Sequence, residues 1–183
     1  TLDGGDGNDT INYSGAGLSS IDVTLNSGTL ATVQVNGGAG DSDRIVNIEN
    51  VIGTDGGDRI IGDIENNVIS AGDGKDIISG GAGINTLDGG DDEDQLRFDE
   101  LEGSGVIVNI ETGESIFNGD GLTSTFVNFE NYVGSDQDDT FIGSSEVDLV
   151  VGMDGDDTFV ASGGIDIFDG QDGSDTIDYS SLN

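Results

Sequence analysis

The sequence contains no cysteine, no histidine and no proline among its 183 residues. Without cysteine, no disulfide can stabilise the fold, and without cysteine or histidine the usual ligands of zinc, copper and iron are missing. Without proline, refolding has no slow cis–trans isomerisation step. These absences suit a chain that is exported unfolded and folds outside the cell.

Positive charge is almost as scarce. Four lysines and arginines stand against 38 acidic residues, which gives a formal net charge of −34. Such a chain repels the phosphates of nucleic acids and the surface of anionic membranes, and no apolar run approaches the length of about 18 residues needed for insertion into a bilayer. Only 33% of the residues are hydrophobic. Self-repulsion therefore places the chain near the disordered class unless cations offset its charge.

What the sequence does have is glycine, 33 residues of it, and a period of nine residues. The period covers residues 53–97 and returns over 134–178, with glycine-rich first positions, Asp or Asn at the sixth position and an apolar residue at the eighth. The eighth positions are Ile60, Ile69, Ile78, Leu87, Leu96, Phe141, Val150, Phe159, Phe168 and Ile177. Loops of independent hairpins need not keep such a constant phase, so the pattern predicts a repeat architecture.

A complete copy of the repeat stands at residues 4–12, Gly-Gly-Asp-Gly-Asn-Asp-Thr-Ile-Asn. It resembles the nonapeptide G-G-x-G-x-D-x-U-x of the repeats-in-toxin (RTX) family, the hemolysin-type calcium-binding repeats. The resemblance implies an all-β fold, a right-handed parallel β-roll with calcium ions between stacked turns. It also implies type I secretion from a Gram-negative bacterium and a location that is secreted, extracellular or at the cell surface.

The period has a physical reason. Nine residues suit a short strand followed by a tight turn, and neither a helix nor a simple alternating strand. Tripeptides such as Asp-Thr-Ile form a strand with one side chain that points inward, and glycine allows the positive φ values of the turn. Two repeats make one coil, so turns on the same edge recur every 18 residues, and coils stack roughly 4.8 Å apart.

Stacking brings the turn carbonyls and sixth-position carboxylates of successive coils together as an all-oxygen cage. Flexible coordination by six to eight oxygens favours Ca²⁺ over Mg²⁺, so several Ca²⁺ ions are the expected cofactor. The predicted ligands in the two runs are Gly53, Asp55, Asp58, Ala71, Gly72, Asp73, Gly74, Asp76, Gly90, Asp92, Asp94, Gly134, Asp136, Asp139, Gly152, Met153, Asp154, Gly155, Asp157, Gln171, Gly173 and Asp175. Four further acids in the same register complete the set: Asp9, Glu130, Asp148 and Asp166.

The two edges of the predicted roll differ in charge. Edge A carries paired aspartates at the third and sixth positions, and its sixth positions are Asp58, Asp76 and Asp94 in the first run and Asp139, Asp157 and Asp175 in the second. Edge B carries Asn67 and Asn85 in the first run and Glu130, Asp148 and Asp166 in the second. We expect tighter calcium sites on edge A. On edge B of the first run we expect asparagine side chains that bond turn backbone instead.

Recurring phrases divide the chain into two long units. The first is residues 13–97, with lead-in strands over 13–52 and a nonapeptide roll over 53–97; the second is residues 98–183, with lead-in strands over 98–133, a roll over 134–178 and the start of a further unit at 179–183. Residues 1–12 are expected to be the tail end of a preceding block of repeats. The lead-in segments 13–43 and 98–124 form either antiparallel hairpins or wider coils, and the nonapeptide register of Glu49 favours wider coils.

These features favour a calcium-dependent structural segment of a large secreted or cell-surface protein, such as an adhesin, a fibre or an S-layer-type protein. Terminal coils expose strand edges, so end-to-end association with itself or with neighbouring units is expected. The alternative is the C-terminal calcium module of a secreted protease or lipase or of a pore-forming toxin. No catalytic residue is predicted, because Ser19, Ser20, Ser144 and Ser145 have no identifiable base partner.

Overall fold

The computed structural model describes residues 1–15, 17–35, 42–101, 103–117 and 121–182. Within them the chain forms twenty β-strands and one short 3-10 helix, Ser180–Leu182. No helix in these ranges is long and apolar enough to cross a membrane. The strands assemble into two ten-stranded sheets, called sheet I and sheet II below.

Each sheet takes strands from both halves of the chain. The spatial order in sheet I is β1 (Leu2–Asp3), β5 (Ser42–Val46), β4 (Ala31–Val35), β3 (Ile21–Thr24), β7 (Arg59–Ile61), β9 (Ile77–Ser79), β11 (Gln95–Arg97), β15 (Asn131–Val133), β17 (Leu149–Val151) and β19 (Ile167–Asp169). The order in sheet II is β2 (Thr10–Asn12), β6 (Asn50–Ile52), β8 (Val68–Asp73), β10 (Thr86–Asp91), β14 (Thr123–Val127), β13 (Glu114–Phe117), β12 (Val106–Asn109), β16 (Thr140–Ile142), β18 (Thr158–Val160) and β20 (Thr176–Asp178).

In the nonapeptide runs, consecutive strands alternate between the two sheets. Neighbours within a sheet are parallel and 18 residues apart: Ile60 pairs with Ile78 in sheet I, and Phe141 pairs with Phe159 in sheet II. One coil is therefore two nonapeptides. The predicted all-β parallel β-roll is confirmed.

The core lies between the sheets and is built from the eighth-position side chains. Ile60, Leu96 and Phe141 are completely buried, and one hydrophobic cluster runs through both units. Burial decreases at the end of the stack, where Phe168 is half-buried and Ile177 is 45% exposed. Because burying a large apolar side chain contributes roughly 1.5–3 kcal/mol, this inward column is the main apolar driving force of the roll.

The lead-in segments interrupt the parallel order. Strands β3, β4 and β5 pair antiparallel in sheet I, and β12, β13 and β14 do the same in sheet II. The expectation of wider coils is therefore wrong, although residues 36–41 and 118–120 of these stretches lie outside the described part of the chain. The physical reason is visible after β3: the N–H of Thr29 donates to the carbonyl of Asn26 (2.9 Å) and Gly28 has a φ of 66°, so a tight turn reverses the chain.

Each antiparallel insertion widens only one sheet. In sheet I, β4 and β3 separate β5 from β7, whereas β6 and β8 pair directly in sheet II. The second insertion does the reverse, because β13 and β12 separate β14 from β16 while β15 and β17 pair directly. Strands β10 and β11 pair with β14 and β15. The two units thus stack directly on each other.

Candidate metal centre

Every turn of the nonapeptide register lies at one of two edges of the roll. We call the turns that lead into sheet I edge I and the turns that lead into sheet II edge II. A sixth-position residue closes each turn just before the strand begins. Those of edge I are Asp58, Asp76, Asp94, Glu130, Asp148 and Asp166. Those of edge II are Asp9, Glu49, Asn67, Asn85, Asp139, Asp157 and Asp175.

This placement corrects the assignment of edges made from the sequence. Asp58 and Asp139 are predicted on one edge, but they precede strands of opposite sheets. Asp157 and Asp175 follow Asp139 to edge II, whereas Glu130, Asp148 and Asp166 continue the edge of Asp58. The reason is that the chain changes sheet seven times between β7, which follows Asp58, and β16, which follows Asp139, and an odd number of changes places the two residues on opposite edges.

A recurring hydrogen bond links the sixth-position residues along each edge. The backbone N–H of Asp58 donates to Oδ1 of Asp76 (2.6 Å), and that of Asp76 donates to Oδ1 of Asp94 (2.8 Å). On edge II, the N–H of Asp139 donates to Oδ1 of Asp157 (2.8 Å). These bonds hold the carboxylates inside the turns, where Asp76, Asp94 and Asp157 are at most 1% exposed.

The second oxygen of these carboxylates is left without a partner. Among the described residues, Oδ2 of Asp9, Asp76, Asp94 and Asp157 is buried and accepts no hydrogen bond. Buried polar atoms are nearly always paired, and a charged one left unpaired is costly. A cation supplies the missing interaction, so these four positions fit a metal ion.

Electrostatics point the same way. Burial raises the pKa of Asp76 to about 7, and the charges of neighbouring acids add to the rise. Burial likewise raises the pKa of Asp94 and of Asp157 to about 6. A bound divalent cation favours the carboxylate form and would lower these pKa values again.

Backbone carbonyls line the gaps between coils. The second and fourth residues of the Asp76 turn, Gly72 and Gly74, have φ values of 117° and 122°. A Cβ at Gly72 would lie far inside contact distance of the Thr54 carbonyl oxygen, and a Cβ at Gly90 would do the same to the carbonyl oxygen of Gly72. Successive turns therefore face each other through carbonyl oxygens with no room for a side chain.

The oxygen set fits Ca²⁺. No three acidic side chains of the described residues converge on one point, so an ion here requires backbone carbonyls as ligands beside the sixth-position carboxylate. A mixture of carbonyl and carboxylate oxygens is what Ca²⁺ takes in flexible sites of six to eight ligands. The residues that would hold it are the sixth-position acids with an unpartnered oxygen and the turn residues around them.

The third-position aspartates are placed differently. Asp55, Asp73, Asp136 and Asp154 are exposed on the outside of their turns. The structure brings together sixth-position carboxylates and turn carbonyls and leaves these four side chains in solvent. Their part in ion binding stays a prediction.

Three of the predicted ligands adopt the positive φ of the turn although they are not glycine. Asp92, Met153 and Gln171 adopt φ values of 84°, 86° and 63°. Non-glycine residues rarely take this conformation, which costs on the order of 1–3 kcal/mol. The chain therefore maintains the open turn even where its sequence disfavours it.

In the asparagine turns of edge II, the side-chain amides donate hydrogen bonds to backbone carbonyls. Nδ2 of Asn67 donates to the carbonyl of Glu49 (2.8 Å), and Nδ2 of Asn85 donates to the carbonyl of Ala82 (3.1 Å). The predicted bonding of these side chains to backbone is confirmed. In these turns the Nδ2 group interacts with the backbone carbonyl oxygens that would face a cation in an aspartate turn.

A third kind of turn was missed by the sequence analysis. Hydroxyl groups of Thr54, Ser135 and Ser144 donate to the sixth-position carboxylates of their own turns, at 2.8–2.9 Å. The signal that identifies these turns is Ser or Thr at the second position, directly after the first-position glycine.

Fold and site together define a β-solenoid whose stacked turns offer oxygen ligands to a divalent cation. A family model for the RTX calcium-binding nonapeptide repeat (4 copies) matches residues 1–15, 52–87, 75–100, 133–168 and 151–183, together more than half of the chain. The chain belongs to this family, whose repeats bind Ca²⁺ and form β-rolls in secreted bacterial proteins. A comparison with curated proteins found no match.

Replacing Gly90 by alanine is expected to destabilise the roll strongly. Gly90 has a φ of 109°, and an added Cβ would collide with the Gly72 carbonyl oxygen of the preceding coil. Backbone strain and overpacking together should lower the free energy of unfolding by roughly 3 kcal/mol or more. Urea unfolding in saturating Ca²⁺, followed by circular dichroism, measures the change.

The control is Gly28→Ala. Gly28 also has a positive φ, 66°, but an added Cβ meets no described atom within 4 Å. In this variant the free energy of unfolding should fall only by the contribution of backbone strain, without that of overpacking. Equal losses in the two variants would contradict the close approach of successive turns.

Proposed function

We propose that this chain is a calcium-dependent structural segment of a large secreted or cell-surface bacterial protein of the adhesin, fibre or S-layer type. It folds when it binds Ca²⁺ after type I secretion. The observation that supports this most is the set of buried, unpartnered carboxylate oxygens at Asp76, Asp94 and Asp157. Calcium removes the cost of burying them, so its binding free energy becomes folding free energy.

The net charge of −34 gives a second reason. In a calcium-poor cytoplasm, mutual repulsion of the acids keeps the chain extended and suited to export. Outside the cell, Ca²⁺ reaches the concentrations at which extracellular modules bind it, about 10⁻⁴–10⁻³ M. The environment thus determines where the chain folds.

Direct stacking of the two units supports an array rather than an isolated module. Strand β11 of the first unit pairs directly with β15 of the second, and the strands at either end of the described sheets offer edges for further pairing. The alternative is a calcium module of a secreted protease, lipase or pore-forming toxin. The sequence that flanks this chain distinguishes them: further copies of the unit support the array, and a catalytic domain supports the alternative.

Removal of calcium tests the proposal. In excess EDTA at low ionic strength, the chain is expected to lose its β-sheet circular dichroism and to expand. Its radius of gyration should approach about 45 Å, the value for an unfolded chain of this length, as measured by small-angle X-ray scattering. Added Ca²⁺ should restore both signals.

Mg²⁺ at the same concentration is the matched control. It demands tighter octahedral geometry and retains its waters, so it should restore little of the fold. A chain that keeps its sheet signal and its dimensions in EDTA would contradict the proposed function.

A further inference from the structure

Two neighbouring turns on edge II form a natural comparison. Residues 134–139 read Gly-Ser-Asp-Gln-Asp-Asp, and residues 152–157 read Gly-Met-Asp-Gly-Asp-Asp. Their first, third, fifth and sixth residues are identical, and they differ only at the second and fourth positions. Both turns therefore carry the same acidic residues, so any difference in their need for a cation has another cause.

In the first of these turns, Ser135 satisfies the carboxylate of Asp139. Its backbone N–H donates to Oδ2 of Asp139 (2.6 Å), and its hydroxyl donates to Oδ1 (2.9 Å). The N–H of Val106 adds a bond to Oδ1 (2.7 Å). The hydroxyl oxygen also accepts from the N–H of Gln137 (3.3 Å), which closes the turn around the acid.

In the second turn, Asp157 lacks these partners. Its Oδ1 accepts the N–H of Asp139 (2.8 Å), but among the described residues its Oδ2 is buried without a hydrogen bond. Met153 and Gly155 hold the turn open, with φ values of 86° and 125°. A methionine side chain also has no proton to donate.

The same division holds for five further turns, whereas the Asp166 turn differs because the hydroxyl of its second residue, Ser162, donates to the carbonyl of Ser144. Thr54 and Ser144 bond both oxygens of Asp58 and Asp148 through N–H and hydroxyl, at 2.6–2.9 Å. The turns that leave an unpartnered Oδ2, those of Asp9, Asp76, Asp94 and Asp157, have Gly5, Gly72, Gly90 and Met153 at the second position. All four of these second residues have a positive φ.

We propose that, in the aspartate turns compared above, the second residue decides whether the turn takes a calcium ion. A hydroxyl there caps the buried carboxylate and makes the turn complete without metal, whereas glycine or methionine leaves a carboxylate oxygen that a cation satisfies. Thr54, Ser135 and Ser144 thus act as built-in substitutes for the ion. This inference rests on the proposed calcium dependence of the roll.

Two of the three capped turns, those of Asp58 and Asp139, lie beside the antiparallel insertions. Asp58 accepts the N–H of Ile21 (2.7 Å), and Asp139 accepts that of Val106 (2.7 Å). Ile21 and Val106 begin strands β3 and β12 of the antiparallel insertions. Both nonapeptide runs therefore start on a metal-free turn bonded to an insertion, and the ion-dependent turns follow from it.

Exchanging the second residues of the two turns tests the inference. In the full chain, Met153→Ser should close the Asp157 turn and lower the number of bound Ca²⁺ ions by one; Gly155 is kept, because a Cβ there would collide with the backbone of Gln137. Ser135→Met should open the Asp139 turn and raise the number by one. Equilibrium dialysis against Ca²⁺ gives the count, and circular dichroism in saturating Ca²⁺ shows whether each variant is folded.

Ser135→Thr is the control, because it keeps the hydroxyl and should leave the ion count unchanged. If one exchange fails to fold, the reverse exchange decides the question. Unchanged counts in the folded exchange variants, with a parent chain that binds Ca²⁺, overturn this inference alone. A parent chain that binds no Ca²⁺ overturns the proposed function as well.

Discussion

Replacing Asp76, Asp94 and Asp157 together by asparagine is expected to give a chain that keeps its β-roll in a chelator. These are the three sixth-position acids that combine near-complete burial with an unpartnered oxygen. Asparagine retains the Oδ1 that accepts the N–H of the preceding coil. Its Nδ2 replaces the orphaned oxygen with a donor that faces turn carbonyls.

The chain itself contains the precedent. Asn85 closes a turn whose second and fourth residues, Gly81 and Gly83, have φ values of 70° and 82°, as in the open aspartate turns. Its Nδ2 donates to the carbonyls of Gly81 (3.4 Å) and Ala82 (3.1 Å). An asparagine can therefore complete an open turn without metal.

Circular dichroism in EDTA measures the effect: the parent should lose its sheet signal and the triple variant should keep most of it. Asp73→Asn, Asp91→Asn and Asp154→Asn together form the matched control, because they remove the same charge from the exposed third positions of the same turns. That control should remain calcium-dependent. If both variants keep the sheet signal in EDTA, net charge and not the buried oxygens controls folding; if both lose it, the buried oxygens are not what makes the chain depend on calcium.

The nine-residue period was sufficient to predict most of the fold. Each eighth-position residue was identifiable as core from spacing alone, because a repeat that must stack can bury only the side chain that points between the sheets. Ile60 and Phe141 are completely buried at such positions. Ile177 is exposed since β20 is the last strand of sheet II, which periodicity does not reveal.

The edges required counting across the insertion as well as within each run. Glu130 lies 36 residues after Asp94, a multiple of the 18-residue coil. The two residues are one coil apart in the structure, because this coil contains the antiparallel insertion, and the N–H of Asp94 donates to Oε2 of Glu130 (2.9 Å). That spacing already placed Glu130 on the edge of Asp94, and hence Asp139 on the other. The spacing within a single run does not show this change of edge.

The antiparallel insertions were harder to predict. Residues 21–25 and 30–35 alternate apolar and polar side chains, which suits a half-buried strand in either direction. Direction depends on the turn at Asn26 and Gly28 and on the partner strand, and strand pairing is a long-range property. The hydroxyl caps lie within a single turn and do not depend on strand pairing. Even so, a Ser or Thr beside a glycine does not predict a cap until the orientation of the sixth-position carboxylate is known.

Acidification is expected to stabilise the roll when calcium is absent. Burial raises the pKa of Asp76 to about 7 and of Asp94 and Asp157 to about 6, against 3.8 for an ordinary aspartate. Between 3.8 and these values the folded chain binds protons that the unfolded chain does not. The free energy of unfolding therefore rises as the pH falls through this window, and the contribution is lost as the pH rises through about 7.

Two measurements check this. In EDTA, the sheet signal should increase when the pH is lowered from 7.5 to 5.5. Calcium binding at pH 6 should release protons, because the ion needs the carboxylate form; titration calorimetry in buffers of different ionisation enthalpy detects that release.

A general loss of charge repulsion also favours folding at low pH, so the triple asparagine variant is the control. It keeps the other acids, including Asp58, Asp139 and Asp148, whose pKa values burial also raises. It lacks the three groups with the large rises, so it should show a weaker pH response and less proton release. An equal response in parent and variant would mean that the buried carboxylates are not the groups that titrate.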